Sequence, residues 1–243
     1  MSSASSSRRY QPPDSPGSDS ADPLRHTAAL NLLAHLHLAR FTPGAESADP
    51  GDPADPVAAG ALLVGNLLPD LTRGRPPDNL HPQVLDGWRH HQRVDRLTDS
   101  SPHFLRSRRA LRPHLGQLAP IAADVLYDHL LIRRWARFSA LPLGTFCDRC
   151  YTRITDHLEA QPPGVDPRAA AVLCEFVTER WLDRYRSREG LAETFDRMSR
   201  HLTRRFRRDV DFTPATPHLP QVITTLQRHF DRFYPELIQQ LAA

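Results

Sequence analysis

The segment DVLYDHLLIRRW, residues 124–135, sets Asp124, Asp128 and His129 among leucine, valine, isoleucine and tryptophan. Asp124 and Asp128 stand at i, i+4 on one helix face, and His129 lies about 100° further round. Burying a polar group without a partner costs on the order of 2–7 kcal/mol, and an isolated charge costs more. Three further apolar segments carry the same anomaly. ALNLLAHLHLAR places His35 one turn after Asn31, with His37 pointing elsewhere. ALLVGNLLPDLTRG has Asn66 and Asp70 as the only polar side chains between Ala61 and Asp70. GWRHHQRVDRLTD spaces His91 and Asp95 at i, i+4, with Asp99 continuing the row and Arg93 between them.

Each feature alone has a structural reading: a hydrogen-bonded core histidine, a solvated pair, a helix cap. Together, imidazoles and carboxylates on the apolar faces of four helices would converge in one core, where a cation neutralises them. Aspartate oxygen and histidine nitrogen without thiolate favour Mn²⁺, Fe²⁺, Mg²⁺ or Zn²⁺. Such an ion lowers the pKa of a bound water and polarises a phosphoryl oxygen, which is the chemistry of metal-assisted hydrolysis. Arg93 is suited to hold a phosphate oxygen. His90, beside His91, is expected to face solvent.

The elements that must position these groups are helices. Periodicity and Pro, Gly and Asp breaks predict them over 28–40, 60–73, 82–98, 101–111, 118–138, 143–160, 167–187, 189–208 and 218–241. Ser101-Pro102 reads as an N-cap followed by proline at the first helical position. No stretch alternates with period two, so the expectation is an all-α, single-domain helical bundle over 29–243. Residues 1–28, rich in Ser, Pro, Asp and Gly, read as a disordered extension, and 41–60 as a long Pro/Asp-rich loop.

Composition narrows the partners. The 243 residues carry 31 basic and 28 acidic side chains, a net charge of +3 that does not by itself argue for nucleic acid. Every basic residue is arginine. No run of about 18 uncharged apolar residues suggests a membrane span, and the N-terminus lacks a signal-peptide pattern. Three cysteines make no disulfide framework, which fits a reducing cytoplasm. The CDRC at 147–150 lies in a helical pattern and reads as buried thiols, while Trp88, Trp135 and Trp181 read as core anchors.

NLLAHLHLA (31–39), GNLLPDLTRG (65–74), HQRVD (91–95) with LTD (97–99), APIAADVLYDHLLIRRW (119–135), WLDRYR (181–186) and RFYPEL (232–237) resemble, in this order, the acyl carrier protein phosphodiesterase family. The resemblance runs from about Leu30 to the C-terminus. It implies an all-helical fold distantly related to the HD phosphohydrolases and a Mn²⁺-dependent hydrolase. The implied reaction cleaves the phosphodiester between 4′-phosphopantetheine and a serine of holo acyl carrier protein. The motif positions are His35, Asp70, His91, Asp95, Asp128 and His129. Asp128-His129 reverses the usual His-Asp order. The resemblance leads us to expect His35, Asp70, His91 and Asp128 as metal ligands. His129 and Asp95 would then handle protons and Asp124 would orient a ligand. An acidic carrier protein would dock on arginine, with candidates at Arg106, Arg108, Arg109 and Arg112; Arg133, Arg134 and Arg137; and Arg204, Arg205, Arg207 and Arg208. The same cluster would equally serve a phosphohydrolase of nucleotides or other small phosphoesters. A non-catalytic helical module that binds acidic proteins is the third reading.

Overall fold

The computed structural model describes residues 31–43, 56–72, 74–207 and 209–243, and the expected extension at 1–28 lies outside them. The described residues hold ten α-helices and no strand, so the fold is all-α. The helices are α1 (Leu32–Leu38), α2 (Pro56–Leu71), α3 (Pro82–Ser100), α4 (Pro102–Leu115), α5 (Ala119–Arg133), α6 (Leu143–Glu159), α7 (Pro167–Thr178), α8 (Trp181–Arg184), α9 (Arg188–Phe206) and α10 (Leu219–Ala242). Most of the expected loop at 41–60 falls outside the described residues; its last five are already helical, because α2 starts at Pro56.

Two kinds of helix build the core. All seven residues of α1 and twelve of the fifteen in α5 are buried, as apolar side chains on every face dictate. By contrast, α3, α4, α6, α9 and α10 are amphipathic; α4 and α10 pack on α5 and on each other, α3 and α6 on α2, and α9 on α8. Pro82, Pro102, Pro120, Pro167 and Pro220 stand in first turns, where a missing N–H costs nothing. At Ser101 the backbone turns as the sequence predicts, although its hydroxyl makes no cap bond.

Helices α2 and α3 pack backbone to backbone. A Cβ on Gly65 would run into the Val84 carbonyl oxygen, and one on Gly87 into that of Leu62. Only glycine permits this crossing, and the crossing sets the neighbours of both residues, Asn66 and Trp88 to His91, against each other.

The helix predicted over 167–187 is broken. Arg180 adopts a left-handed backbone (φ 49°), and its guanidinium reaches Asp148 and Asp183, both at 2.7 Å. The Leu182 N–H then donates to the Tyr151 hydroxyl instead of to a helical carbonyl. Likewise the helix predicted over 118–138 stops at Arg133, and a 3₁₀ turn follows at Trp135–Arg137, with Trp135 Nε1 donating to Leu141. Cys147 and Cys150 lie buried in α6.

Candidate metal centre

The imidazoles of His35, on α1, and His91, on α3, are stacked with centroids 3.9 Å apart and planes 13° from parallel. Each turns Nε2 to the carboxylate of Asp95, His35 at 3.3 Å and His91 at 3.0 Å. Asp70, at the end of α2, lies with Oδ1 3.6 Å from the same His91 nitrogen. His35 and His91 are almost fully buried, and the Asp95 side chain is 39% exposed, so the cluster opens to solvent along that edge.

Local sequence explains the aim of each group. The i, i+4 spacing puts His91 and Asp95 on one face of α3. His91 Nδ1 lies 2.7 Å from the Asn66 carbonyl oxygen, an acceptor only, so Nδ1 donates and Nε2 is presented to the carboxylates. The side chain of Asn66 meanwhile accepts from His90 Nδ1 at 3.0 Å. His90 is therefore buried, against the expectation of exposure: α3 turns both histidines to α2, one to the side chain and one to the backbone of the same asparagine.

The charges are interdependent. Burial alone would lower the His91 imidazole, but Asp70 and Asp95 outweigh it and raise its pKa to about 9. Burial and the charge on His91 push His35 down to about 4. Burial raises the Asp95 carboxyl, and the two imidazoles beside it more than reverse that, holding it well below the usual carboxylate range. At neutral pH the cluster thus holds one cationic and one neutral imidazole between two carboxylates.

That arrangement fits a divalent ion. Nδ1 of His35 has no hydrogen-bond partner among the described residues, although the side chain is wholly buried, and Nε2 has only the 3.3 Å approach to Asp95. One ligand atom each from His35, His91 and Asp95 lies within 4.8 Å of the others. Two imidazole nitrogens with carboxylate oxygens suit Mn²⁺, Fe²⁺ or Zn²⁺.

The acyl carrier protein phosphodiesterase family model matches residues 30–237. The chain belongs to this family. Curated acyl carrier protein phosphodiesterases are similar over almost their whole length. That of Escherichia coli O6:K15:H31 is 34% identical over 212 residues, covering 87% of this chain and 97% of the relative. That of Enterobacter sp. (strain 638) is 32% identical over 213 residues, with the same shares. That of Salmonella newport is 31% identical over 214 residues, covering 88% and 98%. No solved structure matches.

Within this phosphodiesterase family member, the other expected site residues take different places. Asp128 is fully buried, and its two oxygens accept the backbone N–H groups of Leu33 and Ala34 at 2.8 and 2.9 Å. It caps α1 from a distant helix. Burial raises the Asp128 carboxyl, and these two donors act in the opposite direction. His129, about 100° away on α5, donates from Nδ1 to the Tyr185 carbonyl at 2.7 Å and is not in the His35–His91–Asp95 group. Arg93, expected at a phosphate, instead donates to the carbonyls of Gln240 (2.8 Å) and Leu241 (3.5 Å) at the end of α10. Two residues past His91 is about 200° of helix, which turns it away. Asp124 is buried next to this group, one turn from Asp128, and burial followed by the charges of Asp95 and Asp70 pushes its carboxyl well up. His37 bonds Tyr234 and Phe138 and does not reach the cluster.

Asn66 is the residue whose role spacing does not reveal. Its signal in the sequence is its position after Gly65, which lets α2 lie tightly on α3.

Proposed function

We propose that this protein is a metal-dependent phosphodiesterase that cleaves the bond between 4′-phosphopantetheine and a serine of holo acyl carrier protein, giving the apo protein and free 4′-phosphopantetheine. The observation that carries the reading is the meeting of His35, His91, Asp95 and Asp70 in a member of a family named for that reaction. Kinship with the HD phosphohydrolases and a cytoplasmic location, beside the carrier protein, belong to the same proposal. No described helix is long and apolar enough to cross a membrane.

The ligands in this reading are His35, His91 and Asp95, with Asp70 beside them, and the ion is Mn²⁺, with Fe²⁺ or Mg²⁺ as substitutes. Asp95 thus takes the place that the motif pattern assigns to Asp128, whose oxygens hold α1. A bound ion supplies Lewis-acid polarisation of the phosphoryl group and a water of lowered pKa. The chain does the rest. Asn66 fixes the His91 ring through Nδ1, and Asp128 fixes the start of the helix that carries His35. Asp70, buried beside the cluster, is placed to take a proton from water, and the exposed edge at Asp95 admits the phosphate.

Docking of the acidic partner falls to arginines that lack a carboxylate. Arg134 and Arg137 share Asp231, and Arg108 pairs with Asp99. Arg106, Arg109 and Arg112 form an exposed row on α4 with no carboxylate at ion-pair distance among the described residues, and exposed Arg228 and Arg232 stand on the adjoining α10. These five form the proposed docking face.

Mass spectrometry of holo acyl carrier protein incubated with the full chain tests the reading. Loss of the 4′-phosphopantetheine arm is expected with Mn²⁺, not with chelator, and not with His91→Ala. An intact arm with Mn²⁺ present, alongside turnover of nucleotide phosphoesters, overturns the substrate.

A further inference from the structure

A proline inside a helix has no N–H for the carbonyl four residues back, and its ring presses on that carbonyl. Pro69 stands in α2, two residues before the end, between Asn66 and Asp70. The carbonyl it leaves without an amide donor is that of Gly65. The next carbonyl along the chain is the one that meets His91.

His91 differs from other side chains in its choice of acceptor. Elsewhere, a side chain that donates to a backbone carbonyl of another element takes one that the helical ladder leaves free. His129 takes Tyr185, the residue that closes α8, and His37 takes Phe138, which follows the 3₁₀ turn. Trp135 takes Leu141, outside any helix, and Arg93 takes Gln240 and Leu241 in the last turn of α10. Asn66 is none of these. It lies five residues before the end of α2, where a regular helix points the carbonyl along its axis to the N–H of residue 70. Yet His91 Nδ1 approaches that oxygen from α3 to 2.7 Å, inside the usual distance of about 2.9–3.0 Å.

We infer that Pro69 is a positioning residue of the metal centre: it opens the ladder of α2 and turns the Asn66 carbonyl out to His91 Nδ1, leaving Nε2 to the ion. Both groups that address His91 flank this proline. The Asn66 carbonyl stands three residues before it, and the Asp70 carboxylate one residue after it, 3.6 Å from Nε2. Gly65 lets α3 come near enough to use the opening. Past the proline the ladder is regular again, with the N–H and the hydroxyl of Thr72 both on the Leu68 carbonyl. The inference rests on the reading of His91 as a metal ligand.

The full chain labelled with ¹⁵N-histidine tests this first without metal. The Nδ1–H of His91, identified by its absence in His91→Ala, should give a low-field proton resonance that exchanges slowly with water. Pro69→Ala restores an N–H at residue 69 and should speed that exchange at least 10-fold, while circular dichroism shows the helix content kept or raised. Pro69→Gly, which restores the N–H without alanine's helix propensity, should act in the same direction. Zn²⁺ affinity by titration calorimetry should fall 10–100-fold in both, the loss typical when a ligating histidine loses its outer partner. Unchanged exchange in both variants, or faster exchange with equal Zn²⁺ affinity, overturns the inference. A parent chain that protects the proton through Pro69 but takes up no Zn²⁺ overturns the metal reading instead, and the opened ladder stands.

Discussion

Two regions of this molecule use the same charged groups to opposite ends. On the surface where α6, α8 and α9 meet, Arg180 pairs with Asp148 and Asp183, and Glu179 with Arg184 and Arg197. Every charge there has a partner and water on one side. At the meeting of α1, α2 and α3, His35, His91, Asp70 and Asp95 stand further apart, at 3.0–3.6 Å; all but Asp95 are buried, and His35 Nδ1 has no partner among the described residues. Exposed pairs of the first kind contribute little, typically 0–1 kcal/mol. A buried set of the second kind costs desolvation that its own attractions only partly return. The difference teaches where to look for chemistry: not at the densest salt bridges, but where buried polar atoms lack partners.

The largest expected effect comes from the buried set. His91→Ala should cut turnover of holo acyl carrier protein by more than about 100-fold, beyond the 10–100-fold loss typical of groups that merely orient a ligand. Mn²⁺ should then no longer raise the unfolding midpoint measured by calorimetry. Wild-type turnover in this variant would erase the contrast between the two regions.

Next comes the frame. Gly87→Ala should destabilise by about 1–3 kcal/mol, as overpacking does, by forcing α3 off the Leu62 carbonyl. It should also weaken Mn²⁺ binding, because the same displacement moves His91 from Asn66. Denaturant titration with and without Mn²⁺ checks both.

Asp128→Asn sharpens the distinction between a ligand and a cap. The amide keeps one acceptor but presents an NH₂ to a second N–H, so a loss of about 1–2 kcal/mol is expected. If Asp128 supports α1, the loss appears equally with and without Mn²⁺. A loss confined to the Mn²⁺-loaded protein would make it a ligand.

The pH dependence is smaller and one-sided. Burial holds His37 at about 3, neutral, with Nε2–H donating to Phe138 and Nδ1 accepting from Tyr234. Its folded pKa lies below its unfolded value near 6.5, so the unfolded chain binds the extra proton. Stability is full above pH 6.5 and falls as the pH drops towards 3, by up to ~1.4 kcal/mol per unit from this group alone. Urea titrations at pH 7.5 and 5.5 should show the loss, and His37→Asn should remove this group's share of it, leaving that of His90, which burial likewise holds at about 3. Smallest of all, Asp148→Asn in the surface network should leave activity and the unfolding midpoint unchanged within measurement error.

Much of this was legible in one dimension. Helix positions follow from local periodicity and proline, and α3, α6 and α10 start within a residue of expectation. The types of residue in the site were legible too, because Asp70, His91 and Asp128 interrupt apolar faces. Their division of labour was not. Whether Asp128 grips an ion or a backbone depends on the start of α1 arriving 95 residues away in sequence, which no spacing within α5 encodes. His90 looked like a surface neighbour of His91 because spacing says nothing of Asn66 offering two acceptors to adjacent residues. The break after α7 was hidden because it rests on contacts of Arg180 and Tyr151 from another helix.

Seven residues are too few for a helix to persist alone in water, so α1 takes its shape from the helix that grips its first turn. During synthesis, His35 leaves the ribosome long before Asp128 does. Until α5 has emerged and docked, the nascent chain owns an imidazole that it has no means of aiming, and competence for catalysis arrives late in its assembly.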